Sequence, residues 1–260
     1  MDRTNTPESA AAQLVVARET GQPLEQLPEW CRPDDVEKAL AIQRYVTKLL
    51  DEPVGGWKCG LPVDDKIFAA PIHANVIARG FVCPVRYSGR GTPVEPEIAY
   101  TLGCDLPART RKYSDSEVFD AVVGARLALE LVGCRFRKPE NVTFPELLAD
   151  GLSNEGLFLG PLVSVTPREI PKAFVLRVEN SSGAILTREG SHRDDDPSRP
   201  LCWLANFLAQ RGEGLQAGQV VITGSYAGVL DLPLDTPLGI QFGDLGTLSV
   251  QFEGLKGELR

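Results

Sequence analysis

The stretch Val94-Glu95-Pro96-Glu97-Ile98-Ala99-Tyr100-Thr101-Leu102 alternates in the manner of a β-strand. Glu95 and Glu97 then project from one face, with backbone positions ~6.5 to 7 Å apart, while Ile98, Tyr100 and Leu102 occupy the other. Pro96 has no N–H to give to a ladder, so this end of the strand is an edge or an opening. Two side chains in that relation can converge on one cation. Two ordinary glutamates on a solvated strand face meet the same spacing, and the spacing alone favours that simpler arrangement.

Outward from this strand the texture is consistent. After Gly55, short apolar runs are broken by Gly and Pro: 56–60, 77–85, 95–102, 157–165, 174–179, 219–223, 238–242 and 247–252. Such spacing predicts antiparallel or mixed β-structure, not a doubly wound sheet. Two helices interrupt it. One is expected over 114–127, opened by a capping box of Ser114 and Glu117; the other spans 199–211 and ends at Gly212. Ahead of Gly55, residues 8–50 read as helical: Leu14, Val15 and Arg18, then Val36, Leu40, Tyr45 and Leu49, recur at near-helical spacing. Pro33 followed by Asp34, Asp35 and Glu37 marks a helix start, where acidic groups meet the positive end of the dipole. Asp51-Glu52-Pro53 and Gly55-Gly56 stop it. The expected plan is α+β: a helical N-terminal segment, 1–54, on a β-rich body, 55–260, forming one compact unit.

Composition narrows the function. With 43% hydrophobic and 24% charged residues the chain can bury a core and is not disordered. Net charge is -8, and no Lys/Arg cluster is present to neutralise phosphates. The nearest candidate, Arg109-Thr110-Arg111-Lys112, is short, precedes acidic residues and reads as a solvated loop, so no nucleic-acid partner is expected. The six cysteines, Cys31, Cys59, Cys83, Cys104, Cys134 and Cys202, form no C-x-x-C pair and read as small buried thiols of a reducing compartment. Residues 1–9 are polar and acidic where a signal peptide would be basic and then apolar. No apolar run approaches ~20 residues, so no membrane span is expected and a cytoplasmic location is. The histidines number two, His73 and His192, which excludes a His-based metal triad. No phosphate-binding glycine loop and no G-x-S-x-G elbow occur. The stretch 191–197 reads as a solvated, mobile connection.

Glu130 stands in the otherwise apolar run Leu127-Ala128-Leu129-Glu130-Leu131-Val132. An unpaired buried carboxylate costs several kcal/mol, so it must be protonated, paired with a base such as Arg126 or Arg135, or bound to a metal. Three carboxylates around one ion would make an all-oxygen site that favours Mg²⁺ or Mn²⁺ over Zn²⁺ or copper. Lys58 lies in the apolar, Gly-framed segment Gly55-Gly56-Trp57-Lys58-Cys59-Gly60-Leu61. Its ammonium either snorkels to water or serves as a general acid/base or a carboxylate anchor.

Taken in order, these motifs resemble the fumarylacetoacetate hydrolase superfamily, in its 2-keto-4-pentenoate hydratase and oxalocrotonate decarboxylase branch. The residues that carry the resemblance are Gly56-Trp57-Lys58-Cys59-Gly60-Leu61, Glu95-Pro96-Glu97-Ile98-Ala99, Leu129-Glu130-Leu131-Val132 and Asp150-Gly151-Leu152-Ser153-Asn154-Glu155-Gly156 with Leu159-Gly160. Later come Trp203-Leu204-Ala205-Asn206, Ala217-Gly218 and Val221-Ile222-Thr223-Gly224-Ser225. The resemblance implies a mixed β-roll catalytic body with Glu95, Glu97 and Glu130 as ligands of Mg²⁺ (or Mn²⁺). It also implies Lys58 as the catalytic group, Ser153 in the pocket, Ser225 near its rim, and self-association into a homo-oligomer. The sequence departs from the family where Gly133-Cys134 replaces Asp-Ser, where 68–75 is short and has Ala74 for an acidic residue, and at Thr236-Pro237. The first two bear on Lys58's proton-transfer partner; His73 is a candidate, although a packed or solvent-facing histidine is the simpler expectation.

The activity so implied is hydration of a 2-hydroxydienoate, a small 2-oxo or 2-hydroxy-dienoic acid, through its 2-oxo-3-enoate form, with water adding at C4. Decarboxylation of a 2-oxo acid of the oxalocrotonate type and C–C hydrolysis of an acylpyruvate would share the same site. A catalytically silent partner subunit is the alternative of another class.

Overall fold

The computed structural model describes residues 6–86 and 91–255, so the first five of the polar residues 1–9 lie outside the described residues. Helix α1, Pro7–Thr20, begins where the Thr6 hydroxyl accepts the Ser9 N–H, and Gly21 closes it in the left-handed region. Helix α2, Val36–Leu50, is capped by the Asp35 carboxylate and ends on Asp51 at φ 52°. The two helices pack on each other, and Leu14, Leu27, Ile42 and Val46 share a core with Phe136 and Leu148.

Beyond them the chain turns to strands. These are β1 (Val54–Val63), β2 (Lys66–His73), β3 (Ile77–Arg79), β4 (Val82–Val85), β5 (Thr92–Leu102), β6 (Val122–Val132), β7 (Asn154–Leu162), β8 (Ala173–Asn180), β9 (Gly183–Ser191), β10 (Val220–Ile222), β11 (Leu230–Leu232), β12 (Leu238–Phe242) and β13 (Thr247–Gly254). Three further helices are α3 (Asp115–Asp120), α4 (Phe144–Ala149) and α5 (Arg199–Gln210). Among the described residues the strands form an eight-stranded sheet, ordered β2-β1-β10-β5-β6-β7-β3 with β11 also on β5, and a five-stranded sheet, β4-β13-β12-β8-β9. The β1–β10, β3–β7 and β4–β13 pairs are parallel and the rest antiparallel. This is the mixed, not doubly wound, α+β arrangement that the broken apolar runs predict.

Each strand of the larger sheet divides its side chains between two environments. Ile98, Tyr100 and Leu102 of β5, with Leu127 and Leu129 of β6 and Phe158 of β7, join Phe242, Leu248, Val250 and Phe252 of the second sheet in the main core. The opposite face of the same strands carries Ala99, Ala128, Leu157 and Ile222, a smaller buried layer. Period-two alternation thus leaves Glu95, Glu97 and Glu130 on that second face.

The expected helix over 114–127 is corrected. The Ser114–Glu117 capping box forms as predicted, but the helix stops at Asp120 and β6 begins at Val122. A capping box marks a start and carries no information about length; past Ala121 the chain runs between β5 and β7, and its unbroken buried run 127–131 suits a central strand covered on both faces. Strands β2, β9 and β11 were not legible. β2 is reached through a tight turn with Asp64 at φ 52°, and β9 is largely exposed, so it lacks an apolar pattern. The expectation of buried thiols fails for Cys104, which is exposed, and Cys134, which is half-buried; among the described residues all six cysteines are free. The basic stretch is largely exposed, with Arg109 and Arg111 converging on the Glu117 carboxylate. No helix among the described residues is long and apolar enough to cross a membrane.

His73 ends β2 as a packed residue, 6% exposed, with Nε2 3.1 Å from the Thr47 hydroxyl. Burial, helped by the Arg18 charge, pulls its pKa from 6.5 to about 4. Above pH 6.5 both folded and unfolded chains hold a neutral ring. Between 6.5 and 4 only the unfolded chain takes up the proton, so stability falls as pH drops through that window. Urea denaturation should show wild type losing about 2 kcal/mol more than His73→Gln between pH 7 and 5.

Candidate metal centre

Glu95 and Glu97 stand two residues apart on β5, and β6 places Glu130 directly opposite Glu95. One carboxylate oxygen from each residue lies within 4.8 Å of the others. The expected opening at Pro96 is present: β5 pairs with β11 through Val94 and with β10 from Ala99, and between them the Pro96 carbonyl accepts the Tyr226 N–H. A residue without a donor therefore occupies the gap where the neighbouring strand changes.

The three carboxylates are supported unequally. Glu97, 2% exposed, accepts the Gly224 N–H at 2.7 Å. Gly224 has φ 133°, and a Cβ there would sit 3.1 Å from His192 Nε2, so glycine is needed on both counts. Glu130 is fully buried. Its Oε1 accepts from Asn154 Nδ2 at 2.8 Å and pairs with Lys58 Nζ at 2.7 Å, whereas its Oε2 is buried without a partner. The arginines expected as its alternative partners are elsewhere: Arg126 donates to the Gly160 carbonyl, and Arg135 binds Asp150 and Glu155.

Lys58, from β1, does not snorkel. Its ammonium also donates to the Leu152 carbonyl at 3.0 Å. That carbonyl belongs to a strained turn in which Gly151, Leu152 and Ser153 all have positive φ. Asp150 fastens the turn: its carbonyl accepts from Arg18 at 2.6 Å and Arg135 at 2.9 Å, and Arg135 Nε binds its carboxylate at 2.6 Å. The helical N-terminal segment, through Arg18, thus helps hold the pocket wall.

Burial opposes the charge on Lys58, but Glu130, and after it Glu97 and Glu95, outweigh this and raise its pKa. Burial and the neighbouring Glu130 push the Glu97 carboxyl well up and Glu95 up as well, against the pull of Lys58. Three carboxylates share one ammonium here. A dication would balance the remaining two charges and engage the partnerless Glu130 oxygen, and the donor set contains only hard oxygens.

The cluster opens into a cavity of about 430 Å³. Ser153, Gly224 and Ser225 line it, along with Lys58 and the glutamates; Phe68, Phe144, Leu147 and Leu152 give it an apolar wall. The Ser225 hydroxyl is engaged in its own turn with the Gly228 carbonyl. His73 is not among the lining residues. Two contributors escaped sequence reasoning. Asn154 lies in a quoted motif, yet only the register of β6 against β7 brings its amide to Glu130. Arg193 also lines the cavity, although 191–197 read as a solvated connection. The solvated reading holds for the exposed Ser191, Arg193, Asp195 and Asp196, but His192 and Pro197 are buried, and His192 Nε2 meets the Thr223 carbonyl at 3.1 Å while Nδ1 accepts the Asp194 N–H.

Fold and site together define a mixed β-roll protein with a carboxylate-lined pocket. The chain belongs to the fumarylacetoacetate hydrolase family: residues 55–260 match its model, described as fumarylacetoacetate (FAA) hydrolase C-terminal. A 2-keto-4-pentenoate hydratase of Paraburkholderia xenovorans (strain LB400) is 26% identical over 95% of this chain and 94% of its own. One from Paraburkholderia phymatum is 30% identical over 86% and 89%. A 4-oxalocrotonate decarboxylase of a Pseudomonas species is 30% identical over 62% of this chain and 60% of its own. Among solved structures, 4-oxalocrotonate decarboxylase from Pseudomonas putida G7, complexed with magnesium and adipate, superposes with a TM-score of 0.74 at 16% identity, covering 95% and 97% of the two chains.

Calorimetric titration with Mg²⁺ tests the cluster directly. Glu97→Gln and Glu130→Gln should each weaken binding by more than roughly 100-fold, and Asn154→Ala, which removes a supporting hydrogen bond, by roughly 10- to 100-fold. A folded Glu97→Gln protein with wild-type affinity would remove it from the ligand set. Because burial raises the Glu95 and Glu97 carboxyls, protons should compete with the metal above the ordinary carboxylate range. Affinity should therefore rise with pH there, with proton release visible as a buffer-dependent heat.

Proposed function

We propose that the chain is a metal-dependent hydro-lyase that adds water to a 2-hydroxydienoate. The observation that carries this reading is the convergence of Glu95, Glu97 and Glu130 on a cavity, with one Glu130 oxygen buried and unpartnered beside Lys58. The end-to-end match to 2-keto-4-pentenoate hydratases supports the substrate class.

Glu95, Glu97 and Glu130 would hold Mg²⁺ or Mn²⁺, which when bound supplies a Lewis acid for the 2-oxygen and carboxylate of the substrate. Lys58 holds its proton through Glu130 and aims Nζ with the Leu152 carbonyl. From there it delivers a proton to C5 while the 2-hydroxyl gives up its own, which returns to the lysine, so the dienol becomes the conjugated 2-oxo-3-enoate. Water then adds at C4 and C3 is protonated, so the product is the substrate plus one water. Ser153, held at positive φ by the same turn, lies within the cavity to relay a proton. The apolar wall of Phe68, Phe144, Leu147 and Leu152 keeps the chain of the substrate away from bulk water.

With 2-hydroxypenta-2,4-dienoate, loss of ultraviolet absorbance should require Mg²⁺ or Mn²⁺ and stop with chelator. Lys58→Ala should lower kcat by ~10²- to 10⁴-fold while remaining folded, the usual share of one acid/base group. Release of CO₂ from a β-carboxylated 2-oxo acid, without hydration, would instead identify a decarboxylase. Metal binding without turnover of any 2-oxo acid would point to a silent subunit.

A further inference from the structure

The cavity lining holds two cations beside the carboxylate cluster, Lys58 and Arg193. In its apolar wall, Phe68 of β2 and Phe144 of α4 pack edge to face with centroids 5.5 Å apart. The Arg193 guanidinium lies over Phe68 at 5.9 Å, and Lys66 Nζ lies over Phe144 at 5.5 Å. Arg193 and Phe68 line the same cavity as the three glutamates, whereas Lys66 lies outside its lining.

Among the described residues neither Arg193 nor Lys66 makes a salt bridge, although three aspartates follow Arg193 directly. Asp195 pairs with Lys172, Asp196 accepts from Ser198, and Asp194 turns one oxygen inward, buried and without a partner. The loop position is fixed and not incidental. His192 is 1% exposed and is clamped to the Thr223 carbonyl, one residue before the Gly224 amide that holds Glu97. Arg193 is consequently registered to the metal cluster through one short run of backbone. Lys58, the other cation lining the cavity, is already committed to Glu130.

We infer that Arg193 is a specificity residue that receives a second, distal carboxylate, so that the preferred ligands are 2-oxo diacids and not monoacids. The inference rests on the reading that a 2-oxo acid occupies this cavity with its head at the glutamates. An apolar chain crosses the Phe68–Phe144 wall and its terminal carboxylate meets the guanidinium, for which arginine's forked donors suit a carboxylate.

Binding of 2-oxoadipate and of 2-oxohexanoate to the Mg²⁺-loaded protein, measured by calorimetry, tests this without requiring turnover. Wild type should bind the diacid about tenfold or more tightly, in keeping with one charge-assisted hydrogen-bonded pair. Arg193→Met should bind the two acids alike, and the wild-type preference should shrink as salt is raised, since the guanidinium is exposed. Lys66→Met, outside the lining, should keep most of the preference and shows whether any cation at this rim would serve. Equal binding of both acids by wild type, or a preference that survives in Arg193→Met, overturns the inference and leaves the hydratase reading intact if the dienoate is still turned over. If neither acid binds and no dienoate is hydrated, both fail together.

Discussion

Everything near the site depends on keeping three carboxylates in a largely dry face of a β-sheet. Isolated charges there would cost a large part of a protein's stability margin. The structure offsets that cost locally: Lys58 and Asn154 on Glu130, the Gly224 amide on Glu97, and an edge gap at Pro96 that leaves Glu95 partly solvated. The compensation is deliberately incomplete in charge. One ammonium serves three carboxyls, Glu95 and Glu97 are held above their ordinary range, and one Glu130 oxygen stays buried without a partner.

The supporting groups come from separated parts of the chain and are themselves held in sequence. Arg18 in the first helix and Arg135 after β6 grip Asp150, Asp150 fixes the positive-φ turn, and the turn's Leu152 carbonyl aims Lys58. On the other side His192 holds Thr223, and Gly224 follows to hold Glu97. A site built on strands but trimmed by two pinned loops combines a rigid floor with walls that can differ between relatives. The shared floor fits a family whose members, hydratases and decarboxylases among them, are named for different reactions.

Much of this was visible beforehand because its physics is local. Alternation in 94–102 fixed which face carries the glutamates, the lone Glu130 in an apolar run demanded a partner, and the Ser114 capping box and the acidic run after Pro33 located helix starts. The length of α3 was misread because a cap has no reach beyond its first turn. Strands β2 and β9 were missed because their order comes from pairing with β1 and β8, not from an apolar period of their own.

The sequence by itself determined the residue types on offer: three glutamates, one lysine in an apolar frame, and too few histidines for a His-based metal triad. Only tertiary structure decided who meets whom. It paired Glu130 with Lys58 instead of with an arginine, brought the Asn154 amide across a strand, buried His73 away from the cavity, and swung Arg193 onto the Phe68 ring. Residue type and alternation act over a few positions, whereas these contacts join residues 24 to 125 apart in the chain, and only strand register and loop anchoring set such distances.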